Sequence, residues 1–362
     1  MHWLPAILTL PYLFMLLSIY RSLLKIKPFI ESSTPVTFVS VIVACRNEQS
    51  NLPFLLDCIA GQDYPKELFE VIIIDDNSTD ATFEIASGYK GEFRTIAIYN
   101  KGIGKKEAVR SGVNSASGTL VITTDADCRM GTKWIRTISA FYDKLSPDMI
   151  VCPVQIESTQ GFFGKFQELE FLSLQGITAG SAAKGDGTMC NGANLAFTAE
   201  AYHNNEDNLH FGLASGDDVF LLHSLKKKSH SRILWLESKN VLITTSSSST
   251  ISSYLKQRSR WLAKGKAYKD RYTILQGIVT FVTILLQLSL LIAGFFNPSF
   301  ILVFLTVFTL KSIPDFLLLR NTSVRYDNRK IMRLFLPAQF IYPFYVFAVF
   351  LFSLRPDKKK NF

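Results

Sequence analysis

The chain has 362 residues, 48% of them hydrophobic and 19% charged, with a formal net charge of +9. That length holds a large domain plus further segments. Five cysteines (Cys45, Cys58, Cys128, Cys152 and Cys190), odd in number and without metal-ligand spacing, exclude a disulfide framework and read as reduced, mostly buried thiols in the cytosol. The apolar residues gather in long charge-free runs at the two ends, and the middle reads as a soluble α/β protein. An integral membrane enzyme is the class expected.

Residues from about Trp3 to Tyr20 approach the ~20 residues needed to cross a bilayer, and Arg21, Lys25 and Lys27 follow them. Basic residues after a span place that side in the cytoplasm and the N-terminus outside. No basic stretch precedes the run and no small-x-small cleavage site follows it, so an anchor fits better than a cleaved signal peptide.

Phe38 to Ala44 predicts a strand, Asn51 to about Ile59 a helix, and Phe69 to Ile74 a second strand. Together they make a βαβ unit of ~30 residues with a right-handed crossover. The second strand ends in Asp75-Asp76-Asn77-Ser78-Thr79-Asp80, where the chain turns helical with Ser78 or Thr79 as N-cap. These acids either polarise a helix start or, at Asp76, hydrogen-bond a nucleotide base lying across the strand ends. Gly102 to Ala108 then leads into a helix. Its spacing matches neither G-x-G-x-x-G nor G-x-x-x-x-G-K-[ST], so NAD and a P-loop are not indicated, although glycines before Lys105 and Lys106 can let a phosphate approach.

Leu120 to Thr124 is a short apolar run that stops at Asp125-Ala126-Asp127-Cys128. It suits a strand buried on both faces of a parallel sheet, and ligands collect at the carboxyl ends of such strands. Asp125 and Asp127 can both turn toward one hard divalent cation, Mg²⁺ or Mn²⁺. The plainer reading is a polar turn.

For Gly161 to Leu174, core packing explains the phenylalanines better than a face lying on a membrane surface. Met189 to Asn194 is a small polar turn that either lets a sugar approach, with Asn191 and Asn194 beside it, or is an ordinary loop. Ser215-Gly216-Asp217-Asp218 opens a helical segment, Val219 to Leu225, ending in Lys226-Lys227-Lys228. The lysines read as a solvated face near anionic lipid, and His223 and His230 as structural. Thr244 to Thr250 reads as a loop, and Tyr254 to Lys264 as a basic helix.

Three more apolar stretches follow, at about Tyr272 to Phe295, Phe300 to Leu319 and Leu334 to Leu354. Asn297-Pro298 makes an outer turn, and Arg320, Arg325, Arg329, Lys330 and Arg333 mark a cytosolic loop. A fourth full span places Lys358-Lys359-Lys360 outside, and Pro337 and Pro343 allow a kinked or re-entrant segment instead. Lys311 and Asp315, four residues apart, are expected to pair within the bundle.

Four motifs now stand in order: Asp75-Asp76 after the second strand, Asp125-Ala126-Asp127, Asp217-Asp218, and Gln257-Arg258-Ser259-Arg260-Trp261 as Q-x-x-R-W. Over about residues 37 to 265 the chain resembles the membrane-bound members of glycosyltransferase family 2, the group of cellulose, chitin and hyaluronan synthases and ceramide glucosyltransferase. The resemblance implies an α/β fold: a GT-A type nucleotide-sugar domain (37–265) with a mostly parallel central sheet. Around it stand an N-terminal membrane anchor (1–30), a transmembrane region of about three helices (272–354) and a basic tail (355–362). Asp217 departs from the family's usual Glu, which leaves the base to be chosen between Asp217 and Asp218.

By that resemblance Asp75 and Asp76 bind the donor, with Asp76 on the uracil. Asp125 sits at the ribose or phosphate and, with Asp127, at the metal; Lys105 or Lys106 adds positive charge. Asp218, or Asp217, is the base, and Gln257, Arg260 and Trp261, with Asn191 and Asn194, serve the acceptor and diphosphate. The implied function is an inverting, metal-dependent hexosyl transfer from a UDP-sugar to a lipid-linked or glycan acceptor, forming a β-glycoside. The expected setting is a bacterial inner membrane with the catalytic domain cytosolic, in contact with membrane lipids and accessory membrane proteins but not with nucleic acid. A processive polysaccharide synthase is the alternative, though with only four spans a translocation channel in one chain is not expected. A nucleotidyltransferase would carry a glycine-rich, arginine-bearing loop where this chain reads Ala44-Cys45-Arg46-Asn47-Glu48, and a non-catalytic membrane scaffold would need none of the four motifs.

Overall fold

The structure, a computed structural model, describes residues 4–158, 161–213, 216–228 and 230–354. Trp3, Ser215 and the basic tail 355–362 lie outside the described residues. The chain runs α1 (Leu4–Lys25), β1 (Val39–Cys45), α2 (Leu52–Ala60), β2 (Phe69–Asp75), α3 (Thr82–Gly88), β3 (Arg94–Tyr99), α4 (Lys105–Ser115), β4 (Leu120–Thr124) and β5 (Arg129–Met130). It continues through α5 (Trp134–Leu145), β6 (Met149–Val151), β7 (Val154–Glu157), α6 (Phe162–Ala183), β8 (Leu195–Thr198), α7 (Ala199–His203), α8 (Asp217–Lys226), β9 (Ile233–Trp235) and β10 (Ile243–Ser246). Helices α9 (Ile251–Ala263), α10 (Arg271–Phe296), α11 (Ser299–Arg325) and α12 (Phe335–Ser353) complete it. Two compact units result: a sheet unit of residues 27–157 and 189–246, and a helical unit of residues up to 26, 158–188 and from 247 onward.

In the sheet unit seven strands run in the order β3-β2-β1-β4-β8-β6-β9. β1 is parallel to β2 and β4, β2 to β3 and β6 to β9, while β8 runs antiparallel between β4 and β6. The mostly parallel sheet expected from the sequence is therefore present. Every residue of β1, β2 and β4 is buried, which is why these strands read as near-continuous apolar runs. Helix α4 lies on β1 and β2. Gly112 permits that approach, because a Cβ there would come within 2.7 Å of the Ile42 and Ile74 side chains. In register Asp75 is level with Cys45, and Thr124 with Val43, so the acid-bearing loops after β2 and β4 leave the sheet at one edge.

The stretch from Thr244 does not begin as a loop. β10 lies between β5 and β7 in a second, three-stranded sheet. Its polar residues hide it from a hydrophobic pattern, since main-chain pairing on both sides, rather than an apolar face, holds it in place. All five cysteines are free thiols, with Cys45, Cys128 and Cys152 buried.

In the helical unit, α1, α10, α11 and Arg329–Ser353 are long and apolar enough to cross a membrane, matching one N-terminal and three C-terminal spans. The last is one unbroken helix from Phe335, with Pro343 inside it. Helix α6 runs on to Ala183 and packs against α1 and α11. Its Gly180 sits against the α1 backbone, where a Cβ would meet the Ile19 carbonyl oxygen at 2.6 Å; small residues at such crossings let helix backbones approach.

Lys311 and Asp315 pair as expected. Lys311 Nζ donates to Asp315 Oδ2 (2.6 Å) and Gln339 Oε1 (2.8 Å), Gln339 Nε2 donates to Asp315 Oδ2 (3.0 Å), and Tyr12 Oη donates to Asp315 Oδ1 (2.6 Å). The network ties α1, α11 and α12 together. Removing one partner strands the other charge, so Lys311→Met is expected to cost roughly 3–5 kcal/mol, and the double change Lys311→Met/Asp315→Leu much less. Thermal unfolding in detergent of the three proteins checks the order.

Candidate active site

The loops after β1 and β2 are knitted together by their own polar groups. Asn47 N–H donates to Ser78 Oγ (2.9 Å), Thr79 N–H to Asn47 Oδ1 (2.8 Å), and Glu48 N–H to Thr82 Oγ1 (2.8 Å). Asn47 and Asn77 hold left-handed backbone conformations, with φ of 56° and 57°, which asparagine adopts more readily than most residues. Ser78 and Thr79 are thus used in crossing to the neighbouring loop and do not cap a helix. Helix α3 begins later, at Thr82, whose N–H donates to Asp80 Oδ1 (3.1 Å).

Asp75 and Asp76 are both buried. Asp75 Oδ2 accepts from Ser78 N–H (3.1 Å). Asp76 Oδ1 accepts from Asn100 Nδ2 (2.5 Å) and Gly104 N–H (2.9 Å), while its Oδ2 accepts no hydrogen bond and lies 3.8 Å from Arg46 Nη1. Asp76 therefore braces the turn between β3 and α4.

That turn delivers the two lysines to different places. Lys105, at the start of α4, forms an ion pair with Asp125 Oδ1 at the end of β4. Burial disfavours its charge, but the carboxylates of Asp125, Asp217 and Asp218 outweigh it and hold the Lys105 ammonium above the ordinary lysine pKa. Lys106 is buried instead, its Nζ donating to the carbonyls of Leu209 (2.8 Å) and His210 (2.9 Å) and lying 4.7 Å from the centre of the Phe220 ring. It anchors the chain leading toward α8. Asp217 and Asp218 form the first turn of α8, entered through Gly216 at φ 100°. Asp218 Oδ2 accepts from Gly192 N–H (3.1 Å) and its Oδ1 from Val219 N–H (2.8 Å).

Asp127 Oδ2 accepts from Thr245 Oγ1 (2.7 Å) on β10. Nearby negative charge is sensed at Glu48, where burial raises the carboxyl above its ordinary range. The Asn51 hydrogen bond lowers it in part, and the fields of Asp127, Asp125 and Asp80 raise it further. Hard oxygen donors and surplus negative charge fit a divalent cation. Among the described residues, no group of three or more His, Cys, Asp or Glu side chains is placed to hold an ion. An ion here would be held by one or two carboxylates, chiefly Asp127 with Asp125, and by ligands from a bound phosphate, a mode usual for Mg²⁺. Glu48 and Thr245 are the residues the sequence reading passed over. Glu48 had a signal, being a carboxylate three residues past the end of β1; Thr245 had none, because only the fold brings β10 to Asp127.

Asn194 is not placed to receive a sugar. It is fully buried, accepting at Oδ1 from Trp134 Nε1 (2.9 Å) and donating through Nδ2 to the carbonyls of Pro153 (2.7 Å) and Val241 (2.8 Å). Both of its amide protons are spent inside the protein. Asn194→Ala is expected to destabilise the fold by roughly 2–4 kcal/mol while leaving the acceptor KM of the folded fraction unchanged, measurable by thermal unfolding beside steady-state kinetics. Asn191 is half-buried and caps the short turn, accepting from Ala193 N–H (3.0 Å). Gln257, Arg260 and Trp261 lie on α9 of the helical unit, Gln257 and Trp261 half-buried and Arg260 exposed.

Comparison with known proteins agrees with this fold. The sequence model of Glycosyl transferase family 2 matches residues 40–204. Glycosyltransferase AglE of Haloferax volcanii is 31% identical over 105 residues, 28% of this chain and 34% of that protein. Undecaprenyl-phosphate 4-deoxy-4-formamido-L-arabinose transferase of Aeromonas hydrophila is 36% identical over 100 residues, 26% of this chain and 31% of that protein. The match thus spans about a third of these relatives. Among solved structures, mannosyltransferase PcManGT of Pyrobaculum calidifontis, in complex with GDP-Man and Mn²⁺, superposes with a TM-score of 0.58 at 19% identity, covering 99% of this chain and 100% of that one. The sheet unit has the GT-A fold.

Proposed function

We propose that this chain, which carries a glycosyl transferase family 2 domain over residues 40–204, moves one sugar from a nucleotide sugar to a lipid-linked or glycan acceptor held at a membrane. The observation that carries this reading is the ion pair of Lys105 with Asp125 at the end of β4, with the fields of Asp217 and Asp218 also acting on Lys105. It brings the start of α4 to the end of β4, in the loop that also carries the carboxylate of Asp127. The relatives named for undecaprenyl-phosphate sugar transfer and the neighbour bound to GDP-Man and Mn²⁺ support the donor class and the lipid acceptor.

In this reading the donor's diphosphate lies over Lys105, whose charge offsets the negative charge that grows as the C1–O bond to the diphosphate breaks. Asp127, with Asp125, would hold Mg²⁺ or Mn²⁺, which supplies Lewis-acid stabilisation to the leaving group. Asp218, fixed by the Gly192 and Val219 N–H groups, accepts the proton of the acceptor hydroxyl as its oxygen bonds to C1. Attack from the face opposite the diphosphate inverts the centre, so an α-linked donor gives a β-glycoside. Asp76 serves the uracil base, its Oδ2 accepting no hydrogen bond within the protein. Gln257, Arg260 and Trp261 serve the acceptor, with Trp261 offering a ring face and Arg260 a forked contact to phosphate. The four helices long and apolar enough to cross a membrane would anchor the chain in a bacterial inner membrane, with the catalytic domain cytosolic.

The test is to incubate the purified protein in native lipids with Mn²⁺ and a panel of UDP- and GDP-sugars and to weigh the products by mass spectrometry. One added sugar on a lipid is the expected product. A ladder of sugars would favour the processive synthase, and no product with any nucleotide sugar would remove the reading.

A further inference from the structure

Within the helical unit, Arg258 is 4% exposed and Glu170 8% exposed. Arg258 Nη2 donates to Glu170 Oε2 at 2.6 Å, and Tyr345 Oη donates to Glu170 Oε1 at 3.2 Å. The pair joins α9, α6 and α12. Along α9, Tyr254, Arg258 and Trp261 are spaced four and three apart, so they share one helix face. The guanidinium carbon lies 4.2 Å from the centre of the Trp261 ring and 4.9 Å from that of Tyr254. Phe171, next to Glu170, stands 6.5 Å from Trp261, ring centre to ring centre. Trp261 is thus backed by a charged plate that a second helix holds through the Glu170 carboxylate.

We propose that the Glu170–Arg258 pair is a positioning device that sets the orientation of the Trp261 ring, and through it the acceptor edge of α9. A buried ion pair adds little net stability over apolar residues of the same volume. What apolar residues would not supply is a flat, hydrogen-bonded surface of fixed tilt. Arg258 occupies an x position of the Q-x-x-R-W pattern, and its role rests on the reading of Trp261 as an acceptor residue.

The discriminating variant is Arg258→Lys, which keeps the charge for Glu170 and removes the planar stack. Acrylamide quenching of Trp261, taken as the difference from a Trp261→Phe protein, reports the ring without any substrate. The result expected is a rise in Trp261 quenching in Arg258→Lys, with an unfolding temperature close to that of the unchanged chain. In transfer assays the acceptor KM should rise about fivefold to tenfold with the donor KM unchanged. The double variant Arg258→Lys/Trp261→Phe should then be no worse than Trp261→Phe alone. Unchanged quenching, an equal rise in the donor KM, or additive losses in the double variant would overturn the proposal. If the unchanged chain transfers no sugar, the functional reading fails, and the quenching result still decides the positioning.

Discussion

Asp127→Asn is expected to lower sugar transfer on the order of 10³-fold without loss of fold. The substituted amide keeps an oxygen that can accept from Thr245 Oγ1, the contact now made by Asp127 Oδ2 at 2.7 Å. What it loses is the negative charge that a divalent cation requires. The lost factor should therefore fall on kcat, with unfolding temperature preserved, and raising Mn²⁺ should restore little. A folded variant that transfers at the rate of the unchanged chain would remove Asp127 from the metal site. Thr245→Val is the companion change, since it takes away the donor that orients Asp127 and leaves the charge.

Asp218→Asn should cost roughly 10²–10⁴-fold in kcat, the usual contribution of a positioned general base. Its donor KM should stay near that of the unchanged chain, because Lys105 and Asp125 remain. Asp217→Asn separates the two acids that the sequence left equivalent. Geometry favours Asp218, whose carboxylate is fixed by the N–H groups of Gly192 (3.1 Å) and Val219 (2.8 Å). Asp217 adds more to the negative field at Lys105 than Asp218 does, so its loss should act mainly on donor binding. The two kinetic profiles, kcat against donor KM, distinguish these roles.

Much of the sheet could be read from the chain because β1, β2 and β4 are buried on both faces, and such strands are near-continuous apolar runs, with acids marking the ends of β2 and β4. The same rule fails for β3, which lies at the sheet edge and is exposed at both ends, and for β10, whose Ile243-Thr244-Thr245-Ser246 has no apolar stripe. The four helices long and apolar enough to cross a membrane were legible by length and hydropathy, and the pairing of Lys311 with Asp315 by their spacing of four.

Side-chain roles were less legible than strands. Lys105 and Lys106 are neighbours in sequence, yet a helix turns successive residues about 100° apart, and one meets Asp125 while the other is buried against Leu209 and His210. Asn194 looked like a ligand in a small polar turn. It proved to be a buried joint for Trp134, Pro153 and Val241, all distant in sequence. Arg258 read as an unassigned position until Glu170, from another helix, was found beside it. In each case the deciding partner is non-local, so no pattern within one segment could reveal it.

The central claim, sugar transfer from a nucleotide sugar by the acids at the strand ends, is tested most directly by label incorporation. Membranes bearing the chain would be given radiolabelled UDP- and GDP-sugars, and the label counted in the organic-solvent extract with and without a chelator. The expected result is label in lipid that depends on the chain, falls to background with chelator, returns with Mn²⁺, and is absent with Asp127→Asn. Label that persists with chelator and in Asp127→Asn, or none from any nucleotide sugar with folded protein, would contradict it.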